Sequence, residues 1–264
     1  VFLSFNGKRL DLTTPKVMGI LNLTPDSFFS SDHLRSVDNH LMKAEQMLKE
    51  GASIIDLGAV STRPGAPVVP EKEEFNRLVP SLKAIRQRFP EAFLSIDTFR
   101  HTIARQAVDL GADMINDVYG GRFEDDTLKH IAQLGVPYIL MHMKGTPDTM
   151  QLNPQYQDVV AEIAYFFLQQ TRKLRELGAS QVVIDPGFGF GKTVSHNFEI
   201  LDRLQELTSM GFPLVTGVSR KSFIQKTLSV EAMEALNGTT VLHTIALLKG
   251  AKILRVHDVR EAVE

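Results

Sequence analysis

Eight short apolar runs in this sequence each lead into residues able to bind or polarise a ligand. The first runs into Asn22-Leu23-Thr24-Pro25-Asp26-Ser27-Phe28. The second ends at Asp56 and is followed by Ser61-Thr62-Arg63-Pro64-Gly65. The third ends in Asp97-Thr98 and the fourth in Asn116-Asp117. The other four end in Met141-His142-Met143, Asp185-Pro186-Gly187-Phe188-Gly189-Phe190-Gly191-Lys192, Gly217-Val218-Ser219-Arg220-Lys221-Ser222 and Arg255-Val256-His257-Asp258. Each feature alone is weak. An Asp at a strand end often caps the next helix, and Asp97 before Thr98 fits that reading. The stretch 187–191 can be a plain loop, and a lone His142 is more often a satisfied structural histidine. Capping does not explain polar groups at the end of every run.

As a set, these residues suit one kind of chemistry. Asp97, Asn116 and Asp185 offer acceptors and an amide, which match the donor-rich edge of a 2-amino-4-oxo pyrimidine. A carboxylate can accept two donors side by side from such a ring. Lys221 can donate to ring carbonyl and nitrogen atoms, and Phe190, Met141 and Ile20 can supply apolar walls. Asn22, Arg63, Arg255 and His257 surround a region that favours anions, where the planar fork of Arg fits phosphate oxygens. Asn22 is a neutral oxygen ligand that a hard cation such as Mg²⁺ accepts. The pattern predicts a flat polar heterocycle pocket beside a diphosphate pocket. No obvious Ser–His or Cys–His pairing supplies a protein nucleophile.

Strands are expected near Val17–Leu21, Ser53–Leu57, Phe93–Asp97, Asp113–Asn116, Pro137–Met141, Gln181–Asp185, Pro213–Thr216 and Lys252–Arg255. Most precede a segment of helical spacing, such as Leu41, Ala44, Met47 and Leu48, or Leu78, Leu82, Ile85 and Phe89. Strands alternating with helices indicate a parallel sheet. Eight units in 264 residues suggest an α/β fold closed into a (β/α)8 or TIM barrel, as one domain over 1–264. An open doubly wound sheet is the rival. Active sites of such barrels lie at the C-terminal strand ends, where the polar residues cluster. Leu3 to Leu10 reads as a β-hairpin around Asn6-Gly7 that closes the bottom of the barrel. Only Asp258 to Glu264 follow the last strand, so the eighth helix is short or truncated.

Composition sets further bounds. The chain has no Cys, which excludes disulfides and thiolate chemistry and suits a reducing cytoplasm. Its net charge of −2, without blocks of like charge, gives no footprint for nucleic acid. No apolar run is long enough to span a bilayer, and no signal peptide is evident.

Several motifs carry a family resemblance. Met18 to Phe28 and Asp185 to Lys192 resemble two signatures of the dihydropteroate synthases. Ser61 to Ala66, Met141 to Pro147, Ser219 to Ser222 and Arg255 to Asp258 complete the set in the family's order, from about residue 17 to the C-terminus. Two stretches differ from many members. Phe29-Ser30-Ser31-Asp32-His33-Leu34 lacks a glycine pair, and Gly58-Ala59-Val60 stands where Gly-Gly and an acidic residue are common.

The resemblance implies an enzyme that joins a pterin diphosphate to p-aminobenzoate through a dissociative pterin cation, with Mg²⁺. It implies pterin contacts from Asp97, Asn116, Met141, Asp185, Phe190, Lys221 and Arg255. The p-aminobenzoate pocket would comprise Phe28, Thr62, Arg63, Pro64, Phe190, Lys221 and Ser222. Diphosphate would meet Asn22, Thr62, Arg63, Ser219, Arg255 and His257, with the metal on Asn22. The catalytic set would be Asn22, Asp97, Asp185, Lys221, Arg63, Arg255 and His257. The resemblance also implies a homodimer and sensitivity to sulfonamides. A methyltetrahydrofolate methyltransferase, or a pterin-binding protein without turnover, is the alternative reading.

Overall fold

The computed structural model describes residues 1–24, 33–61, 69–146, 149–150 and 152–264, with the backbone alone at 33–35. Ten strands and their helices follow in chain order. The hairpin strands are β1 (Phe2–Phe5) and β2 (Lys8–Asp11). Then come β3 (Lys16–Asn22), α1 (His33–Lys49), β4 (Ile54–Gly58), α2 (Glu71–Arg88), β5 (Phe93–Asp97), α3 (His101–Asp109), β6 (Met114–Asp117) and α4 (Thr127–Leu134). They are followed by β7 (Tyr138–Met141), α5 (Val159–Glu176), β8 (Val182–Asp185), α6 (Val194–Asp202), α7 (Leu204–Thr208), β9 (Val215–Thr216) and α8 (Ser222–Leu228). The chain ends with a 3₁₀ turn (Ala232–Glu234), α9 (Leu236–Leu248), β10 (Ile253–Val256) and α10 (Val259–Val263).

Strands β3 to β10 form one parallel sheet in the order β8-β7-β6-β5-β4-β3-β10-β9. A parallel bridge between Ile184 and Leu214, just before β9, joins the two ends. The Ile184 N–H donates to Pro213 O at 2.9 Å on that seam. The ring is the expected (β/α)8 barrel, and the open-sheet rival is set aside. Each expected strand is present, Phe93–Asp97 with the bounds expected and the others with ends shifted by at most two residues. Just before β6 begins at Met114, Asp113 N donates to Leu94 O (2.8 Å) while its carboxylate accepts from the Leu94 N–H (2.9 Å), Arg86 (2.5 Å) and Lys8 (3.1 Å). The eighth helix is α10, five residues long.

The hairpin turn places Asn6 and Gly7 both at positive φ (49° and 79°), the twist that two-residue hairpins require. Its Leu3 and Leu10, with the following Leu12, pack on Met18, Ile54, Phe93, Met114, Ile139, Val183, Val215 and Ile253. Those eight residues are the first inward-facing side chains of the eight barrel strands. The hairpin therefore plugs the bottom, as expected. Gln181 fixes it at a second point, with its amide accepting from Ser4 N (2.6 Å) and donating to Ser4 O (2.8 Å). A larger apolar core, including Leu21, Leu57, Leu82, Ile96, Phe167 and Leu204, lies between the barrel and its helices. Each such side chain, fully buried, contributes about 1.5–3 kcal/mol. No helix among the described residues is long and apolar enough to cross a membrane.

Candidate active site

With the bottom filled by apolar side chains, the alternation of each strand sets what comes above. Successive side chains on a strand point to opposite faces, so the next inward positions are Ile20, Asp56, Ser95, Asn116, Met141, Asp185, Gly217 and Arg255. Asn22, Gly58 and Asp97 follow at the mouth. Polar groups on neighbouring strands thus converge at the C-terminal end of the barrel. A Cβ at Gly217 would make only ordinary contacts, 3.8 Å from the Lys221 ammonium and 4.0 Å from Arg255 Cβ, so that position faces the same polar layer.

Arg255 ties the centre of this layer together. Its Nε donates to Asp56 Oδ2 at 2.7 Å and its Nη2 to Asp97 Oδ2 at 2.6 Å. Asn116 Nδ2 donates to the same Asp56 oxygen at 3.0 Å. Asp97 does not cap a helix, as one reading of its position allowed. It faces into the barrel, and α3 begins only after Arg100, whose side chain forms a buried ion pair with Glu74. The hydroxyl of Thr98 donates to Glu74 at 2.6 Å and accepts from Arg100 N at 3.3 Å, so it too has another role.

Burial dominates the electrostatics here. It pushes Asp97 up to about 7, opposed by Arg255 and reinforced by Asp56. Asp185 is likewise raised by burial, against the pull of Lys221. Burial brings Lys221 down to about 8, with Asp185 opposing. Burial also opposes the charge on Arg255, but Asp56 and Asp97 outweigh it and hold the guanidinium protonated. Asp185 Oδ1 accepts from Gly187 N at 2.7 Å, and no hydrogen bond among the described residues takes its other oxygen. The same is true of Asp97 Oδ1. Each acid therefore keeps an acceptor for a ligand.

The Gly-rich stretch after β8 is a fixed structure rather than a plain loop. Gly187 and Gly191 have φ of +68° and +65°, and a Cβ would lie 2.0 Å from His142 O and 2.3 Å from Lys144 O. Neither position can take a side chain. Lys192 is buried beneath and donates to Gly187 O and Phe190 O (both 2.9 Å) and to His142 O (3.3 Å). Its Nζ also lies 3.1 Å from His142 Nδ1. Burial and the neighbouring Lys192 hold His142 well below the usual histidine range, so it is a neutral structural residue, the reading favoured from sequence. The loop presents Phe190 to the mouth. Lys221 lies 4.7 Å above that ring and donates to Phe188 O. Met141 and Phe190 belong to the same apolar cluster at the top of the barrel.

On the opposite side, His257 Nδ1 and Ser219 Oγ are 3.1 Å apart, and His257 N donates to that oxygen at 3.2 Å. Arg220, at φ 53°, turns away from the mouth and forms a bidentate pair with Asp258 (2.7 and 2.8 Å). That pair and the bonds from Arg220 to Ala232 O and Met233 O set the turn that sends Lys221 inward. Ser222 opens α8 next to it. Phe28, Thr62, Arg63 and Pro64 lie outside the described residues. Asn22 is exposed at the end of β3.

The structure therefore brings together Asp97, Asn116, Met141, Asp185, Phe190, Lys221 and Arg255, with Ser219 and His257 beside them. Sequence reasoning missed Asp56, which anchors Arg255 and Asn116, and Lys192, which braces the glycines. It also gave no role to Glu74 and Arg100. For Asp56 the signal was its place at a strand end, shared with every other candidate.

A metal site is tested by its donor set. No group of three or more His, Cys, Asp or Glu side chains able to hold a metal ion occurs among the described residues. The arrangement does not fit a cation held by protein alone. A cation here would take most of its ligands from water or a bound anion, as Mg²⁺ can, and only one or two from protein. Exposed Asn22 can supply one such oxygen.

The chain matches the family model described as pterin binding enzyme over residues 18–257. It is 44% identical over 260 residues to the dihydropteroate synthase of Escherichia coli strain K12, covering 98% of this chain and 92% of that one. The Yersinia pestis dihydropteroate synthase, solved in a sulfonamide drug complex, superposes with a TM-score of 0.93 at 41% identity. The match covers 100% of this chain and 96% of that one. The Xanthomonas albilineans dihydropteroate synthase, solved with 7,8-dihydropteroate, gives 0.88 at 35% identity, over 100% of this chain and 95% of that one.

Proposed function

This chain belongs to the dihydropteroate synthases of the pterin-binding enzyme family, and from that membership we propose which of its residues carry the reaction. It is a transferase that condenses 6-hydroxymethyl-7,8-dihydropterin diphosphate with p-aminobenzoate, giving 7,8-dihydropteroate and diphosphate in folate synthesis. The methyltransferase alternative is thereby set aside. The observation that carries the residue assignment is the convergence of Asp97, Asn116, Asp185, Lys221 and Arg255 on one barrel mouth.

The pterin ring enters between Met141 and Phe190. Its amino-substituted edge donates to Asp185, with Asn116 beside it, and Lys221 donates to the ring carbonyl and nitrogen. The bond between the exocyclic CH₂ and the diphosphate oxygen breaks first. Positive charge then spreads into the ring, where Asp97 and Asp185 offset it. Arg63, Arg255, His257, Thr62 and Ser219 receive the departing diphosphate. Stabilising charge where it develops supplies more of the rate gain in most enzymes than any other single effect. The p-aminobenzoate amine attacks the methylene carbon, forms the C–N bond and gives up a proton to the departing diphosphate or to water. Phe28, Thr62, Arg63, Pro64, Phe190, Lys221 and Ser222 hold that second substrate, and sulfonamides, as mimics of p-aminobenzoate, occupy the same place.

Asn22 would hold a Mg²⁺ ion arriving on the diphosphate. When bound, the ion neutralises charge on the leaving oxygens. The experiment is turnover under chelation. Excess EDTA is expected to stop product formation and added Mg²⁺ to restore it, whereas turnover that survives EDTA would remove the cation from the reaction.

The enzyme acts on small molecules, and its net charge of −2 offers no basic footprint for nucleic acid. A cytoplasmic location is supported by the cysteine-free sequence. A homodimer is supported by the exposed apolar side chains Leu228, Met233, Val241 and Leu248 on α8, the 3₁₀ turn and α9. Light scattering that returned the mass of a single chain would refute it.

A further inference from the structure

We propose that Asp56 is a positioning residue of this site: from beneath the mouth it aims Arg255 and Asn116 at the pterin without touching it. The inference rests on the assignment of the pterin pocket given above. Asp56 has no exposed surface, so no substrate reaches it. Its single oxygen Oδ2 takes both the Arg255 Nε donor (2.7 Å) and the Asn116 Nδ2 donor (3.0 Å). Those donors come from strands β10 and β6, on opposite sides of β4 in the sheet order.

Geometry shows what each bond does. Arg255 has its Nη2 on Asp97 and its Nε on Asp56, which fixes the plane of the guanidinium. Remove the Nε partner, and the fork can rotate about Asp97. Asn116 is fixed in a different sense. With its Nδ2 held by Asp56, its carbonyl oxygen must face the other way. Asp56 thereby sets which amide atom the pterin meets.

Stability alone gives no reason for an Asp56–Arg255 pair here rather than an apolar one. Asp56 Oδ1 is buried with no hydrogen-bond partner. Ser95, its register partner on β5, also buries a hydroxyl without one. A charge with one uncompensated oxygen in the barrel interior is costly, and an apolar pair of similar volume is often as stable. Such a cost is expected where a site is held ready for its ligand.

Asp56→Asn tests this, because it keeps the shape and an acceptor oxygen but removes the charge. The expected loss in kcat/KM for the pterin diphosphate is on the order of 10²-fold, the scale of a catalytic group displaced by about an ångström. Two readouts separate aiming from mere folding. In a double-mutant cycle with Arg255→Met, the effect of Asp56→Asn is expected to shrink severalfold, because the group it aims is gone. The second is the acidic limb of the pH profile of kcat/KM, which reports the free enzyme. Asp97 is faced by Arg255 from β10, Asp56 from β4, Glu74 from α2, Asp117 from β6 and Lys221 from the start of α8. In the wild type its protonation is expected to place the limb near 7, with activity falling as pH drops below it. Taking away the Asp56 charge makes Asp97 easier to ionise, so the limb moves to lower pH.

Additive losses in the cycle, or a limb that stays in place, would overturn the proposal. If Asp56→Asn fails to fold, Asp56→Ser goes through the same cycle with the same criteria. A wild-type protein that forms no dihydropteroate would instead count against the reading of the site on which the proposal rests.

Discussion

Asp185→Asn is expected to weaken binding of 6-hydroxymethyl-7,8-dihydropterin diphosphate by on the order of 10²-fold. The change swaps one carboxylate oxygen for an NH₂, which confronts a donor edge with a donor. Hydrogen bonds to a charged group are worth about 1.5–3 kcal/mol each, and a buried unpaired donor adds its own cost. Two such bonds carry an affinity change of that size. The fold should survive. The remaining Asn oxygen can still accept from Gly187 N, where Asp185 Oδ1 now does at 2.7 Å. Burial already disfavours the Asp185 charge, so losing it costs the empty protein little. Calorimetry on the folded variant measures the effect, and an unchanged affinity would show that the pterin edge lies elsewhere.

The second large effect is expected at Arg255→Met. This one guanidinium offsets two carboxylates, Asp56 and Asp97, at 2.7 and 2.6 Å. Breaking a buried pair by removing one partner costs about 3–5 kcal/mol, because the other charge is left buried alone. Turnover should fall by on the order of 10³-fold, the upper range for losing a donor that stabilises developing charge. The stability loss should be smaller at low pH. Asp97 is held at about 7 with Arg255 in place, and without it the carboxyl is harder still to ionise. Below that pH it is neutral and has no charge to leave stranded. Thermal melts at pH 5 and pH 8 measure the difference. Equal destabilisation at both would mean that Asp97 does not change its protonation between those pH values.

The readable part of this molecule follows from two periodicities and one topology. Period two along eight apolar runs put Asp97, Asn116, Asp185 and Arg255 on inward faces, and the barrel brought those faces to one end. Asn6-Gly7 specified the hairpin because few other pairs adopt two successive positive φ angles. Other features depend on contacts between residues far apart in sequence. Asp56 looks like any strand-end aspartate until Arg255, 199 positions away, is seen to bond it. Lys192 is legible in the sequence only as the end of the Asp185 to Lys192 motif, yet four acceptors and nearly complete burial make it the brace of the Gly187–Gly191 turn. The Glu74–Arg100 pair lies between α2 and the start of α3, where either charge would suit a solvated helix end. Asp113 is legible only as the start of a strand, and its carboxylate is seen to hold Leu94 N, Arg86 and Lys8 only in the fold.

The most direct measurement is the stoichiometry of the reaction. Purified protein with 6-hydroxymethyl-7,8-dihydropterin diphosphate, p-aminobenzoate and Mg²⁺ is predicted to form 7,8-dihydropteroate and diphosphate in equal amounts, with dihydropteroate absent when p-aminobenzoate is withheld. A protein that binds the pterin tightly yet forms neither product would contradict the account and leave a binding protein without turnover.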